Sequence, residues 1–432
     1  MAGLGVLRIL VVLPMYGGSL PVGRFCLSAL RELGHVAEAF EAPDFFGAFS
    51  ALKDLRVTAD RLEYLENSFL QVVSQAICAK VETFEPDLVL ALAQAPLSRQ
   101  ALKRLRRDGV KTVMWFVEDF RLFTYWEAFA PYYDAFAVIQ KEPFPERLAA
   151  VGQENVLYLP MAADPAVHRP LELSAVERRA YGAGVSFMGA GYPNRRLAFA
   201  ELLDVDLGIF GSDWDGDPVL SGRVRLGGRR VTTEESVKIF NAAAVNLNLH
   251  SSINPRDLVP TGDFVNPRTF ELALCGAFQL VSDRALLPEL FAEDELARFS
   301  SMAELREKLA YYLARPEERA ALAERARTRA LAEHTYATRM GRLLGFVAER
   351  LSGWPARRAG AEAALAVLPE PLRGETAALL GELSLPADVG FADLIAAVRL
   401  RQGRLTPLET SLLFLDEWKR QYGGASARQT TS

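Results

Sequence analysis

The chain has 432 residues, half of them hydrophobic and a quarter charged, with a net charge of −5 and a pI near 5.7. That is a globular composition with material for two ordinary domains, and its acidity argues against a nucleic-acid binder, which carries a basic domain. Cys26, Cys78 and Cys275 stand far apart in apolar surroundings without metal-ligand spacing, so reduced buried thiols and a cytoplasmic location are expected.

The first apolar run, residues 6–15, is interrupted by Arg8, too short to span a bilayer, and followed by "YGGSLPVGRF" rather than a cleavage site. Its centre, "LRILVVLP", reads as a strand buried on both faces of a parallel sheet. A loop "MYGGSLPVG" leads into the helix "RFCLSALRELGH", and "VAEAFEA" is a second strand. A helix is expected over residues 59–84, with Leu62, Leu65, Phe69, Val72, Val73 and Ile77 on one face. Next come the strand "PDLVLALA", the helix "SRQALKRLRRDG" and the strands "KTVMWFVED", "AFAVIQ" and "VLYLPMA". Strands alternating with helices define a doubly wound α/β domain.

A polar, Pro-punctuated connection near "ADPAVHRPLELSAVERR" gives way to a second α/β series. It runs through "GVSFMGAGYPNRR", "LGIFGSD", "GRVRLGGRR", the helix "TTEESVKIFNAA", the strand "VNLNLH", a long loop over 251–266, a helix and the strand "FQLVS", then helices at 301–314 and 316–333. The expected division is therefore 1–165, a first Rossmann-like domain; 166–335, a second; 336–353, a helix crossing back to the first; and 354–432, a helical extension ending in a disordered "GGASARQTTS". Two such domains place a cleft between the carboxyl ends of two sheets, where α/β proteins bind ligands.

Two stretches of the second domain can carry chemistry. In "NPRTFELALCGAFQLVSD" a helix opens at Pro267, where a missing N–H is tolerated, and its free N–H groups form an anion site. Arg268 adds a fork of donors suited to phosphate, and Thr269 can cap or donate through its hydroxyl. Glu271, repelled by phosphate, is better suited to the paired hydroxyls of a ribose. A cation and an acid at one helix start fit a nucleoside diphosphate bearing a sugar; a capped helix with an Arg–Glu pair is the plainer alternative. In "FMGAGYPNRR" a strand runs into Gly189-Ala190-Gly191 and reaches Asn194, Arg195 and Arg196 at a helix start, a second place for a diphosphate or an ordinary strand-to-helix turn. The backbone between Leu226 and Val231, with Gly227, is where a base would be read.

These residues carry a resemblance. The run from "SFMGAGYPNRR" through "NPRTFELALCGAFQLVSD" to "YYLARPEER" and "EHTYATR", about residues 183–346, resembles the C-terminal domain of GT-B glycosyltransferases, and more narrowly the spore-maturation CgeB-like branch of bacterial family-1-type enzymes. The resemblance implies a GT-B fold and transfer of a sugar from a nucleoside-diphosphate sugar, a UDP-sugar first, to a protein, glycan or lipid-linked acceptor, without a bound metal. "DWDGD" (213–217), which imitates the Asp-x-Asp metal motif of the other glycosyltransferase fold, is accordingly assigned no metal. In related retaining enzymes a Glu-x7-Glu motif holds the donor. Glu271 matches its second acid, and the residue seven positions earlier is Phe264, with Asp263 adjacent.

For the chemistry, Arg195 and Arg268 would offset charge on the departing diphosphate. A base would come from "WFVEDF": Asp119 first, Glu118 second. His250, at the end of "VNLNLH", either touches the donor or is a satisfied structural histidine; His35, His168 and His334 are scattered without zinc spacing. Gly17 and Gly18 could admit the acceptor close to backbone. The aromatic cluster over 120–133 either lines an acceptor groove or packs between helices, and the C-terminal helices can recruit an acceptor or form a homodimer. A GT-B-type nucleotide-sugar epimerase and a non-catalytic sugar-nucleotide or glycan binder are the alternatives.

Overall fold

The computed structural model describes residues 4–256, 263–355, 364–401 and 403–422. The chain separates into two compact units: the first holds 1–137, 145–157 and 340–432, the second 138–144 and 158–339. The last division falls inside the helix Tyr336–Arg350. The expected disordered end, 423–432, lies outside the described residues.

The first unit is built on a six-stranded sheet: β1 (Arg8–Val12), β2 (Val36–Phe40), β3 (Leu88–Leu92), β4 (Lys111–Phe116), β5 (Ala135–Val138) and β6 (Val156–Tyr158). Their order is β2-β1-β3-β4-β5-β6, with β1 parallel to both β2 and β3, and β3 parallel to β4. All residues of β1 and β3 are buried, as continuous apolar runs demand when helices cover both faces. The sequence of pairings reverses between β1 and β3, which makes the carboxyl ends of these strands the crevice of this unit. The helix Ala59–Phe84 has the bounds its periodicity implied.

The C-terminal helices Glu370–Glu382, Phe391–Leu400 and Pro407–Tyr422 belong to this unit. Buried Arg8 on β1 donates from Nε to Asp393 at 2.8 Å, and Trp354 Nε1 donates to the Asp87 carbonyl at 2.8 Å. Taking one partner from such a buried pair leaves an uncompensated charge, so the extension is tied to the first sheet by more than apolar contact.

The second unit carries a five-stranded, fully parallel sheet in the order β11-β10-β9-β7-β8: β7 (Ala183–Met188), β8 (Leu207–Phe210), β9 (Ala243–Asn248), β10 (Gln279–Ser282) and β11 (Ala297–Phe299). β11 was not legible in the sequence: it is three residues long, with Arg298 at its centre. "GRVRLGGRR" takes part in two short 3₁₀ turns, Ser221–Arg223 and Leu226–Gly228. Phe187, Phe199 and Trp214 pack together with Leu207, Ile209, Val245 and Leu280 into the core on one face. A second cluster, Phe210, Val237, Phe240 and Leu272, fills the other face, with Met188, Leu226 and Val231 packed against it.

Candidate active site

The start of the helix Pro267–Leu274 is held by a buried polar network. Asn266 is the N-cap, its side-chain oxygen accepting from the Thr269 N–H at 3.1 Å, with Pro267 in the first turn. Asn248, at the end of β9, donates to Thr269 Oγ1 (2.9 Å) and to Gln279 Oε1 (3.0 Å), and accepts from Asn266 Nδ2 (2.8 Å). Thr269 is fully buried, so its hydroxyl serves this network. Asn248 thus locks the helix start to the sheet, since buried amides must find partners.

His250 belongs to the same scaffold. It is buried; its Nε2 lies 3.1 Å from the Asn266 N–H, which donates to it, and its Nδ1 lies 2.9 Å from Ser282 Oγ. An acceptor Nε2 places the ring proton on Nδ1 and keeps the ring neutral. Burial, reinforced by Arg284 and Arg195, holds its pKa well below the ordinary value. Its geometry is that of a satisfied structural histidine.

On the exposed side of that scaffold lies Arg268. Its guanidinium pairs with Glu271, contacts the Met188 sulfur at 3.4 Å and lies over the Phe240 ring, 4.8 Å from its centroid. Glu271 also has His168 Nε2 at 3.9 Å, a neighbour that no spacing in the sequence announced. Burial lowers the pKa of His168 while Glu271 opposes the shift. Val231 and Leu226 pack on the cluster that contains Phe240 and Met188, so the loop with Gly227 reaches the same place as Arg268. Leu226, Gly227 and Gly228 all take left-handed backbone there.

Arg195 approaches from the neighbouring helix, Pro193–Ala200. It is almost fully buried, and donates from Nε and Nη2 to the Leu249 carbonyl (3.0 and 2.8 Å) and from Nη1 to the Ala190 carbonyl (2.9 Å). Burial lowers its pKa to about 9, and repulsion from Arg268 contributes; at neutral pH it stays charged. Both cations lie beside the end of β7, Arg268 against the Met188 sulfur and Arg195 against the Ala190 carbonyl two residues on. Arg195 is largely occupied as a brace and acts mainly through its field, whereas Arg268 keeps exposed surface. Asn194 is likewise structural: buried, it donates to the His250 carbonyl at 2.9 Å and accepts from the Ser252 N–H at 2.9 Å.

The glycines of "GAG" have a packing reason. A methyl group on Gly191 would sit 2.1 Å from the Asp213 carbonyl oxygen, and one on Gly189 would press on Phe187 and Arg195. The loops after β7 and β8 are thus zipped together, Gly189 N–H to the Phe210 carbonyl and Gly191 N–H to the Ser212 carbonyl. The acids of "DWDGD" serve this region as turn partners: Asp217 accepts from the Val219 and Leu220 N–H groups and pairs with Arg196.

Counting seven intervening residues, 264–270, back from Glu271 gives Asp263 rather than Phe264. The first acid of the Glu-x7-Glu pattern is therefore shortened by one methylene, not lost. Asp263 Oδ1 accepts from Nε2 of fully buried Gln140 at 2.9 Å.

In the first unit, Glu118 and Asp119 follow β4 but have different surroundings. Asp119 caps its own turn, its carboxylate accepting from the Arg121 N–H at 3.0 Å and its carbonyl from Leu122 and Phe123. Glu118 accepts from the Gln94 side-chain amide and from the Tyr125 hydroxyl (2.9 Å), both neutral donors. Burial raises its pKa above the ordinary glutamate value, and those two hydrogen bonds only moderate the shift. Gln94, after β3, is held in left-handed backbone (φ 65°), its N–H donating to Tyr125 Oη at 2.9 Å. A methyl group on Gly17, after β1, would lie 3.6 Å from Gln94 Oε1, while Gly18 precedes the helix Ser19–Glu32. Residues following β3 and β4 thus converge on one carboxylate, with Gly17 beside Gln94. Gln94 was not flagged by the sequence, since it belongs to no motif, and Tyr125 was singled out only as one ring of the aromatic cluster over 120–133. The aromatic stretch 120–133 mostly packs inward: Phe120, Trp126 and Tyr133 are buried, while Leu122 and Phe123 remain exposed.

Comparison with known proteins agrees with this architecture. The chain is 25% identical over 261 residues to the spore protein CgeB of Bacillus subtilis (strain 168), covering 56% of this chain and 76% of that protein. In structure it is similar to sucrose-phosphate synthase from Thermosynechococcus elongatus (TM-score 0.54, 15% identity, 78% of this chain and 98% of that one). It is equally similar to Anabaena HepE, solved in complex with UDP-glucose (TM-score 0.54, 11% identity, 79% of this chain and 100% of that one). Residues 178–345 match the family described as Glycosyl transferase-like, and the chain has the GT-B fold of these neighbours.

Proposed function

We propose that this protein is a glycosyltransferase that takes a sugar from a nucleoside-diphosphate donor, a UDP-sugar in the first instance, held by the second unit. The observation that carries this reading is the pairing of cations beside β7: Arg268, partly exposed at a capped helix start, and Arg195, charged and buried next to it. Preorganised positive charge is what a departing diphosphate requires, and a fixed guanidinium reorganises less than water does. Glu271, already paired with Arg268, accepts from the ribose hydroxyls. Leu226 to Val231 offer backbone to the base, and Asp263, aimed by Gln140, takes the place of the first acid of the donor motif. That acid's presence supports the catalytic reading over that of a non-catalytic binder. The complex of HepE with UDP-glucose supports the choice of base.

In the first unit we assign Glu118 to the acceptor. Its carboxylate, with neutral partners and a raised pKa, is suited to take the proton of an attacking hydroxyl; Asp119 is committed to its turn. The acceptor itself is a protein, a glycan or a lipid carrier. The test is release of free nucleotide from UDP-, GDP- and dTDP-sugars, with water as the default acceptor. Slow, saturable release from one of them that is abolished in Arg268→Ala supports the transferase; binding of all three without release at any pH contradicts it.

A further inference from the structure

Among the described residues of the first unit is a cavity of about 540 Å³, between the helix Ala59–Phe84 and the residues that follow β3. That volume is in the range of small-ligand sites. Its walls include Asn67, Gln71 and Gln94, the rings of Tyr64 and Phe129, and the single cation Arg99; no carboxylate lines it. Side-chain amides donate and accept at once, as neighbouring hydroxyls on a ring require. Aromatic faces suit the C–H face of a pyranose. A phosphorylated or acidic ligand would call for several cations, and a lipid tail for an apolar channel. Gln94 is the link to the chemistry: it forms part of this wall, sits in left-handed backbone that only a well-determined environment maintains, and donates to Glu118.

We propose that this cavity is the acceptor subsite, that it binds an uncharged sugar, and that Gln94 connects the bound sugar to Glu118. The proposal rests on the transferase reading, so its test is made separable from it. Saturation-transfer NMR on the full chain, without donor, is run with maltotriose, cellotriose and chitotriose. A trigalacturonate and a Ser/Thr-rich peptide form the charged and peptidic arms. At least one neutral trisaccharide binds, and its affinity falls about tenfold or more in Gln71→Trp, which fills the cavity from an exposed helix position. Tyr64→Ala gives the same loss without added bulk, and unchanged thermal melting shows that both variants fold. Saccharide binding that is indifferent to both substitutions overturns the proposal, as does binding of the trigalacturonate or the peptide alone. Absence of any neutral binding in a wild-type protein that hydrolyses a UDP-sugar also overturns it and leaves the transferase reading standing. Absence of hydrolysis with saccharide binding still sensitive to Gln71→Trp overturns the transferase reading and the acceptor role with it, and leaves the cavity as a neutral-sugar site alone.

Discussion

The ends of β4 and β9 make a useful contrast. Both close a buried parallel strand and both present ionisable groups, but the two units solve opposite electrostatic problems. After β9, Glu271 is matched by Arg268, Arg195 is wrapped in carbonyls, and His250 is kept neutral by burial. After β4, Glu118 accepts, among the described residues, from an amide and a phenol, and its charge is destabilised by desolvation. Surplus positive charge on a rigid scaffold suits an anion that stays anionic; an uncompensated carboxylate suits a proton that comes and goes.

The contrast is broken most severely at Glu118. Glu118→Gln should lower nucleotide release by about 10²–10⁴-fold, with Asp119→Asn far milder. Because burial favours the protonated form, the carboxylate is available only above a raised pKa. The rate should therefore fall on acidification at a higher pH than an ordinary glutamate would give, and that limb should vanish in Glu118→Gln. A pH–rate profile of both proteins checks this.

In the second unit, Arg268→Ala removes a charged donor and leaves the largely buried Glu271 without its guanidinium partner. UDP affinity measured by calorimetry should weaken by about 1.5–3 kcal/mol. Arg268→Lys, which keeps the charge but not the planar fork, should recover only part of it.

Next in size is Gly191→Ala. Its new methyl would lie 2.1 Å from the Asp213 carbonyl, so the loops after β7 and β8 must part. Chemical denaturation should show a loss of roughly 1–3 kcal/mol. Unchanged stability would mean that the two loops are not packed as described.

The smallest effect is in pH. Burial lowers His250 well below 6.5 and His334 to about 4. In the interval between those values and 6.5 the unfolded chain holds protons that the folded one lacks. Stability is thus complete above pH 6.5 and declines as the pH falls toward 4; melting temperatures across that window should drop with it.

Much of this was legible in the sequence. Continuous apolar runs marked β1 and β3, the alternating "VNLNLH" marked β9, and the Asn-Pro-Arg helix start was visible because caps and first-turn prolines obey local rules. What local rules do not contain was missed. The glycines of "GAG" look ligand-directed until one sees the carbonyl that Gly191 must accommodate. Glu118 and Asp119 are adjacent acids, and only the strand's end decides which meets Gln94 and which its own turn. Gln94, a non-glycine residue in left-handed backbone, has no spacing signature at all. Arg195 was legible as a cation, but its burial against the Leu249 and Ala190 carbonyls was not.

The central claim, that Arg268 grips the diphosphate beside β7, is tested most directly by comparing UDP with UMP on wild-type protein and on Arg268→Ala. The account predicts that the wild-type protein binds UDP more tightly and that the preference collapses in the variant, because the distal phosphate has lost its partner. A variant that still favours UDP over UMP by the wild-type margin would contradict it.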